Sequence, residues 1–136
     1  MALPNGAGGY QVGDGNLNEV TMGSIPAPAT ATVTATLTVP QITAGILLGS
    51  PGTSAASYTL PTASSLDSTV SSAKVGSCFD LSVVNVDGSS SGVITLVAGT
   101  GWTLVGLMTV VATAGTAQLF RARKTADGAW TLYRVA

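Results

Sequence analysis

An all-β fold, an antiparallel β-sandwich or partly closed barrel with an extended N-terminal arm and at most one short helix, is predicted by three features of this 136-residue chain. Residues Ala29 to Val39 alternate without error, with threonine at 30, 32, 34, 36 and 38 and apolar residues between. From Tyr58 onward, short β-prone runs recur between glycine turns. Charge is scarce, 8% of residues against 46% hydrophobic, where soluble domains carry about 25% charged residues. Strict period two marks pleated backbone, whose side chains point alternately to opposite faces. Short β-rich runs separated by turn residues build sandwiches and barrels.

Taken in chain order, residues 1–28 are broken by Pro4, Pro26, Pro28 and six glycines, with Tyr10, Val12, Leu17, Val20, Met22 and Ile25 as isolated apolar side chains. This reads as an irregular arm whose apolar residues are candidate anchors on another protein's surface. Ala29–Val39 is predicted as one strand, on the order of 35 Å when extended. That exceeds an ordinary internal strand, so the strand is expected to lie on a partner chain or a larger sheet. Pro40 and the Gly49-Ser50-Pro51-Gly52 cluster punctuate the chain, and the division is placed so that residues 1–55 form the arm and 56–136 the β-domain.

Within that domain, Thr62 is positioned to cap a short helix with Leu66 and Val70 on its inner face, ending by Gly76. Phe79, Leu81 and Val83 alternate with Cys78, Asp80 and Ser82, after which Val84 and Val86 shift the phase as a bulge does. Asp87–Gly92 loops the chain into Val93–Val97, and Gly99-Thr100-Gly101 turns it toward Trp102–Val111. Asp127-Gly128 is a two-residue hairpin signal, since both residues tolerate positive φ. Pairing Ala126 with Ala129 and counting outward sets Arg123 opposite Leu132 and Arg121 opposite Arg134.

Several function classes are disfavoured. Histidine is absent, which removes the commonest general base, metal ligand and triad member. Acids number six, at Asp14, Glu19, Asp67, Asp80, Asp87 and Asp127, so no catalytic residue, cofactor site or metal site is assigned and the chain is read as a non-enzyme. The single cysteine, Cys78, excludes an internal disulfide and a cysteine-based zinc site, and its reading is a half-buried structural residue. Neither glycine-rich turn continues into the Lys-Ser/Thr of a phosphate loop. Five basic residues give no footprint for nucleic acid. Every apolar run is interrupted far short of the roughly 20 residues of a spanning helix, and the N-terminus lacks the pattern of a secretory signal, so synthesis in a cytoplasm is expected.

The remaining constellation is Arg121, Arg123, Lys124 and Arg134 with Trp130. Arginines facing each other across a ladder repel, so they need a carboxylate from another subunit, a bound anion or stacking on an indole. Trp102, Arg121, Arg123, Trp130 and Arg134 are therefore candidates for a subunit interface or an anion or glycan site. Packing and inter-subunit pairing outweigh ligand binding, because such networks are commonly structural.

The stretches Tyr58-Thr59-Leu60-Pro61-Thr62-Ala63, Val75-Gly76 with Phe79-Asp80-Leu81, Gly99-Thr100-Gly101-Trp102-Thr103-Leu104-Val105-Gly106, Lys124-Thr125 and Ala129-Trp130-Thr131-Leu132-Tyr133-Arg134 resemble the capsid decoration (cement, or head-fibre-like) proteins of tailed bacteriophages. The likeness spans residues 58–136, with Ser77 standing where an acidic residue is expected in relatives. It implies a β-rich homotrimer on the outer surface of the virion capsid, at local three-fold positions, bridging subunits of the major capsid protein and stabilising the head. Tyr10, Val12, Leu17, Val20, Met22 and Ile25 would then be the capsid-binding residues. The alternative is a fibre or spike adhesin that binds host-surface glycan through Trp102, Trp130 and the arginines.

Overall fold

In the computed structural model, which describes residues 22–136, the first six strands wind alternately between two sheets. β1 (Ala29–Ala31), β3 (Ile46–Gly49) and β5 (Cys78–Asn85) lie parallel in one sheet. β2 (Ala35–Thr36), β4 (Ala56–Thr59) and β6 (Ile94–Val97) lie parallel in the other. Each successive pair is one turn of a two-sided coil laid on the turn before. Helix α1 (Val39–Thr43) carries the chain from β2 to β3, and α2 (Ala63–Thr69) from β4 to β5. Both helices therefore stand at one end of the coil, and the loops 32–34, 50–55 and 86–93 stand at the other.

Four later strands complete the sheets: β7 (Trp102–Val105), β8 (Thr109–Val110), β9 (Thr116–Ala126) and β10 (Ala129–Arg134). β8 pairs antiparallel with β6, β9 antiparallel with both β5 and β10, and β7 parallel with β10. The result is a six-stranded sheet ordered β1-β3-β5-β9-β10-β7 and a four-stranded sheet ordered β2-β4-β6-β8. Three residues link β1 to β2 and three link β7 to β8, so both lateral edges of the sandwich are crossed by chain that changes sheet. No helix among the described residues is long and apolar enough to cross a membrane.

One hydrophobic core joins the layers. Leu47, Leu81, Val83, Phe120, Trp130 and Leu132 enter it from the six-stranded sheet, and Tyr58, Ile94, Leu96 and Val110 from the four-stranded sheet. Val39 and Ile42 of α1 and Ala63 and Leu66 of α2 plug the helix end. Each fully buried large side chain contributes about 1.5–3 kcal/mol. Polar groups inside are paired. Asn85, fully buried, donates to the carbonyls of Gly92 (2.8 Å) and Val111 (3.0 Å) and accepts from Gly88 N (2.7 Å), which ties together the 86–93 loop.

The strand-rich class holds, but the finer topology differs from expectation. Five of the eight strand pairings are parallel, so the fold is a mixed-sheet coil and not an antiparallel sandwich. There are two short helices. Helix α2 begins as expected, with Thr62 Oγ1 accepting from Ser65 N at 3.2 Å. Helix α1 was not expected: Pro40 falls in its first turn, where a missing N–H costs nothing, and Gln41 Oε1 accepts from Thr38 N at 2.8 Å.

The threonine-rich segment is not one long strand either. It bends at Thr32–Thr34 and gives β1 to one sheet and β2 to the other, leaving Val33 75% exposed in the bend. The buried Tyr58 hydroxyl pins this corner by donating to the carbonyls of Ala31 (3.1 Å) and Thr32 (2.9 Å). Residues 29–55, assigned by sequence to the arm, supply β1, β2, α1 and β3 and place Leu37, Val39, Ile42 and Leu47 in the common core. Strand β5 keeps an unbroken register against β9 from Cys78 to Asn85, so the expected bulge at Val84 is absent. Asn85 occupies the core-facing phase and Val84 the outer one.

Candidate functional site

The turn at Asp127-Gly128 forms as its sequence dictates, with Gly128 at φ +69 and Ala126 opposite Ala129. One step further the register slips: Trp130 lies opposite Lys124, Thr131 opposite Arg123, Tyr133 opposite Arg121 and Arg134 opposite Phe120. Thr125 is the extra residue of a β-bulge. A slip of one residue exchanges the faces of a strand. It brings Phe120, Ala122 and Lys124 inward beside Trp130 and Leu132 and keeps Arg121 and Arg123 outside. The expected confrontation of Arg121 with Arg134 therefore does not occur.

On the outer face of the six-stranded sheet the register sets two polar rows. Cys78, Arg123, Thr131 and Thr103 form one, and Asp80, Arg121, Tyr133 and Val105 the next. Arg121 grips Asp80 with two bonds, Nε to Oδ1 at 2.7 Å and Nη2 to Oδ2 at 3.2 Å. The guanidinium holds the Asp80 carboxyl below the usual carboxylate value. Both groups are about half exposed, so solvent screens the pair and it adds little to stability. Arg134 donates from Nη1 to Leu107 O at 3.5 Å, at the β7–β8 corner. Cys78 is exposed rather than half-buried, because it falls in the outer phase of β5.

The tryptophans belong to the interior. Trp102 is 8% and Trp130 2% exposed, their rings 6.1 Å apart as neighbours across β7 and β10. Trp102 Nε1 donates to Pro61 O at 2.7 Å, and Phe79 packs on Trp130 with ring centres 5.7 Å apart. Neither indole offers a face to a sugar or a guanidinium, which removes both from the expected glycan or anion site.

Beneath the arginine rows lies a polar knot that sequence reasoning missed. Asp67, on the same face of α2 as Ala63 and Leu66, accepts from Gly128 N (2.6 Å) and Trp130 Nε1 (2.8 Å). Lys124 Nζ lies 3.2 Å from Asp67 Oδ1 and 3.2 Å from Asp127 Oδ1, and donates to Ala73 O at 3.3 Å. The Gly128 amide, with Trp130 and Lys124, pulls the Asp67 carboxyl below its usual range. Burial alone would push the Lys124 ammonium down, yet the two carboxylates carry it above the ordinary lysine value. The signal was present in the phase: Lys124 follows Phe120 and Ala122 at period two, and a lysine on a buried face must be paired.

An open cleft of about 260 Å³ sits beside this knot, lined by Val70, Ala73, Cys78, Phe79 and Trp130 among others. The Asp67 and Asp80 carboxylates are paired with Trp130, Lys124 and Arg121, and Asp67 joins α2 to the hairpin turn. No group of three or more His, Cys, Asp or Glu placed to hold a metal ion occurs among the described residues.

Of the expected capsid anchors, Tyr10, Val12, Leu17 and Val20 lie outside the described residues. Met22 and Ile25 are 85% and 61% exposed, on a segment without secondary structure that runs from residue 22 to 28. Comparison of the chain with protein-family models, with curated proteins and with solved structures returned no match.

Proposed function

We propose that this chain is a structural virion protein that binds the outer surface of a tailed-phage capsid as a trimer and stabilises the head by bridging major capsid subunits. The observation that carries this reading is the uncharged lead into the domain. No charged residue occurs between Glu19 and Asp67, and within that stretch residues 22–28 are exposed throughout, with Met22 and Ile25 making no core contact. An extended, uncharged segment with spaced apolar side chains gains its order from a surface supplied by another protein. Each anchor buried there contributes at most about 1.5–3 kcal/mol before ordering costs, and repetition over a shell multiplies a modest gain.

The resemblance of residues 58–136 to decoration proteins supplies the identity of the surface. The adhesin reading loses the aromatic platform it needs, since Trp102 and Trp130 are interior. Heat and osmotic shock of heads with and without the bound protein test the proposal. Heads carrying it retain their genome under conditions that empty bare heads, and equal resistance overturns the reading. Specific glycan-array binding that depends on Arg121 and Arg123 would favour the adhesin instead.

A further inference from the structure

The two outer faces of the sandwich are chemically unlike. On the four-stranded sheet the outward positions are mostly hydroxyl-bearing: Thr36 opposite Thr59, and Ser57, Thr95 and Thr109 across the neighbouring strands, with Val97 the apolar residue beside Thr59. On the six-stranded sheet, beyond the arginine rows and toward the loop end, the register sets two uncharged, mainly aliphatic rows. Ile46, Ser82 and Leu119 form the first, extended by Val135, whose N–H bonds Leu119 O at 3.0 Å. Thr30, Leu48, Val84 and Ala117 form the second.

Ile46, Leu48, Val84 and Leu119 are only half-buried, by their strand neighbours, and Val105 and Val135 are 46% and 47% exposed. The core residues of both helices lie at the helix end, between the sheets, and no described element packs over these rows. A sheet face with aliphatic rows this broad is not a surface that a single soluble chain leaves to water.

We infer that the outer face of the six-stranded sheet is covered by a second copy of this chain, and that these rows are the subunit contact of its oligomer. The inference deepens the proposed trimer and rests on it. Its size fits: four rows of four residues, about 4.8 Å apart across the strands and about 6.7 Å apart along them, give a footprint of roughly 500 Å². Side-chain relief raises that toward the ~800 Å² per partner of a standard interface. Its chemistry fits as well. Beside Asp80, Ser82 and Ala117 the face carries Leu, Ile, Val, Tyr133 and two arginines with no lysine or glutamate, and aromatic residues and arginine are enriched at interfaces. Asp80 and Arg121 satisfy each other, so little charge is left to select a foreign partner, whereas aliphatic rows turned toward a three-fold axis meet the same rows of the other two copies there.

Native mass measurement of the full chain and three lysine variants tests this. Leu119→Lys and Val84→Lys change the aliphatic rows and leave the core untouched, and Thr95→Lys changes the hydroxyl face as a control. The expected result is an oligomeric wild type, an unchanged Thr95→Lys, and collapse of both face variants to the 13.4 kDa of one chain with an unaltered melting transition. If a lysine variant fails to fold, Val84→Thr replaces it and is expected to raise the dissociation constant several-fold. A folded Leu119→Lys that stays oligomeric overturns this contact and leaves the trimer standing on another surface. A wild type that is a single chain at every concentration overturns the contact and the trimer together, while capsid docking is still decided by the head-stability comparison.

Discussion

Asp67 decides most at the residue scale, because one carboxylate joins α2, the hairpin turn and the buried face of β9. Removing it leaves the Trp130 N–H, the Gly128 N–H and the Lys124 ammonium without their shared acceptor, so Asp67→Ala is expected to cost about 3 kcal/mol, read as a lower urea midpoint. The sign with pH follows from the depressed carboxyl. Its folded value lies below its unfolded one, so its stabilisation is complete above about pH 4 and is lost as pH falls below that. The urea midpoint of the wild type should therefore fall on acidification below about pH 4, more steeply than that of Asp67→Asn, and parallel profiles would refute the role. Gly101 makes a second residue-level test. At φ +87, with an added Cβ directed at Gly128 O and the Ala63 side chain, Gly101→Ala is expected to destabilise by at least about 1–2 kcal/mol in the same measurement.

At the scale of elements, the reading of the sequence succeeded where local chemistry is self-sufficient and failed where the other sheet decides. The Thr62 cap and the Asp127-Gly128 turn need only their own neighbours, and both formed as read. The threonine ladder misled because alternation survives a bend: β1 and β2 each keep period two, and nothing local marks Thr32–Thr34 as a corner. That corner is fixed by Tyr58, 26 residues away along the chain from Thr32. Tyr58→Phe, which removes both hydroxyl bonds, is expected to cost about 1–2 kcal/mol and to speed amide exchange at the β1–β2 corner more than in β9. Uniform exchange rates across the two regions would contradict the assignment. The hairpin slip was legible in principle. Phe120 and Ala122 can share the inner face with Trp130 and Leu132 only if one strand carries an extra residue, a constraint that counting from the turn ignored.

On the scale of the whole molecule, the coil itself left no repeat to read. Ala29 pairs with Leu47 eighteen residues on, while Leu47 pairs with Val83 thirty-six residues on, so successive turns differ too much in length for a period to appear. The candidate site was half legible. The sequence isolated the arginines, and the structure keeps Arg121 and Arg123 together on one outer face, but it sends both tryptophans to the core and reveals Asp67 and Lys124 beneath. What composition did announce is the scarcity of charge, and the structure gives it a place in the aliphatic rows of one sheet and the exposed segment before β1. The most direct measurement is cryo-electron microscopy of the virion that carries this chain. The account expects its density on the outer surface of the head, at local three-fold positions, with the residues preceding Ala29 laid across the major capsid protein. Density confined to a fibre or tail, or a head bare of this chain, would contradict it.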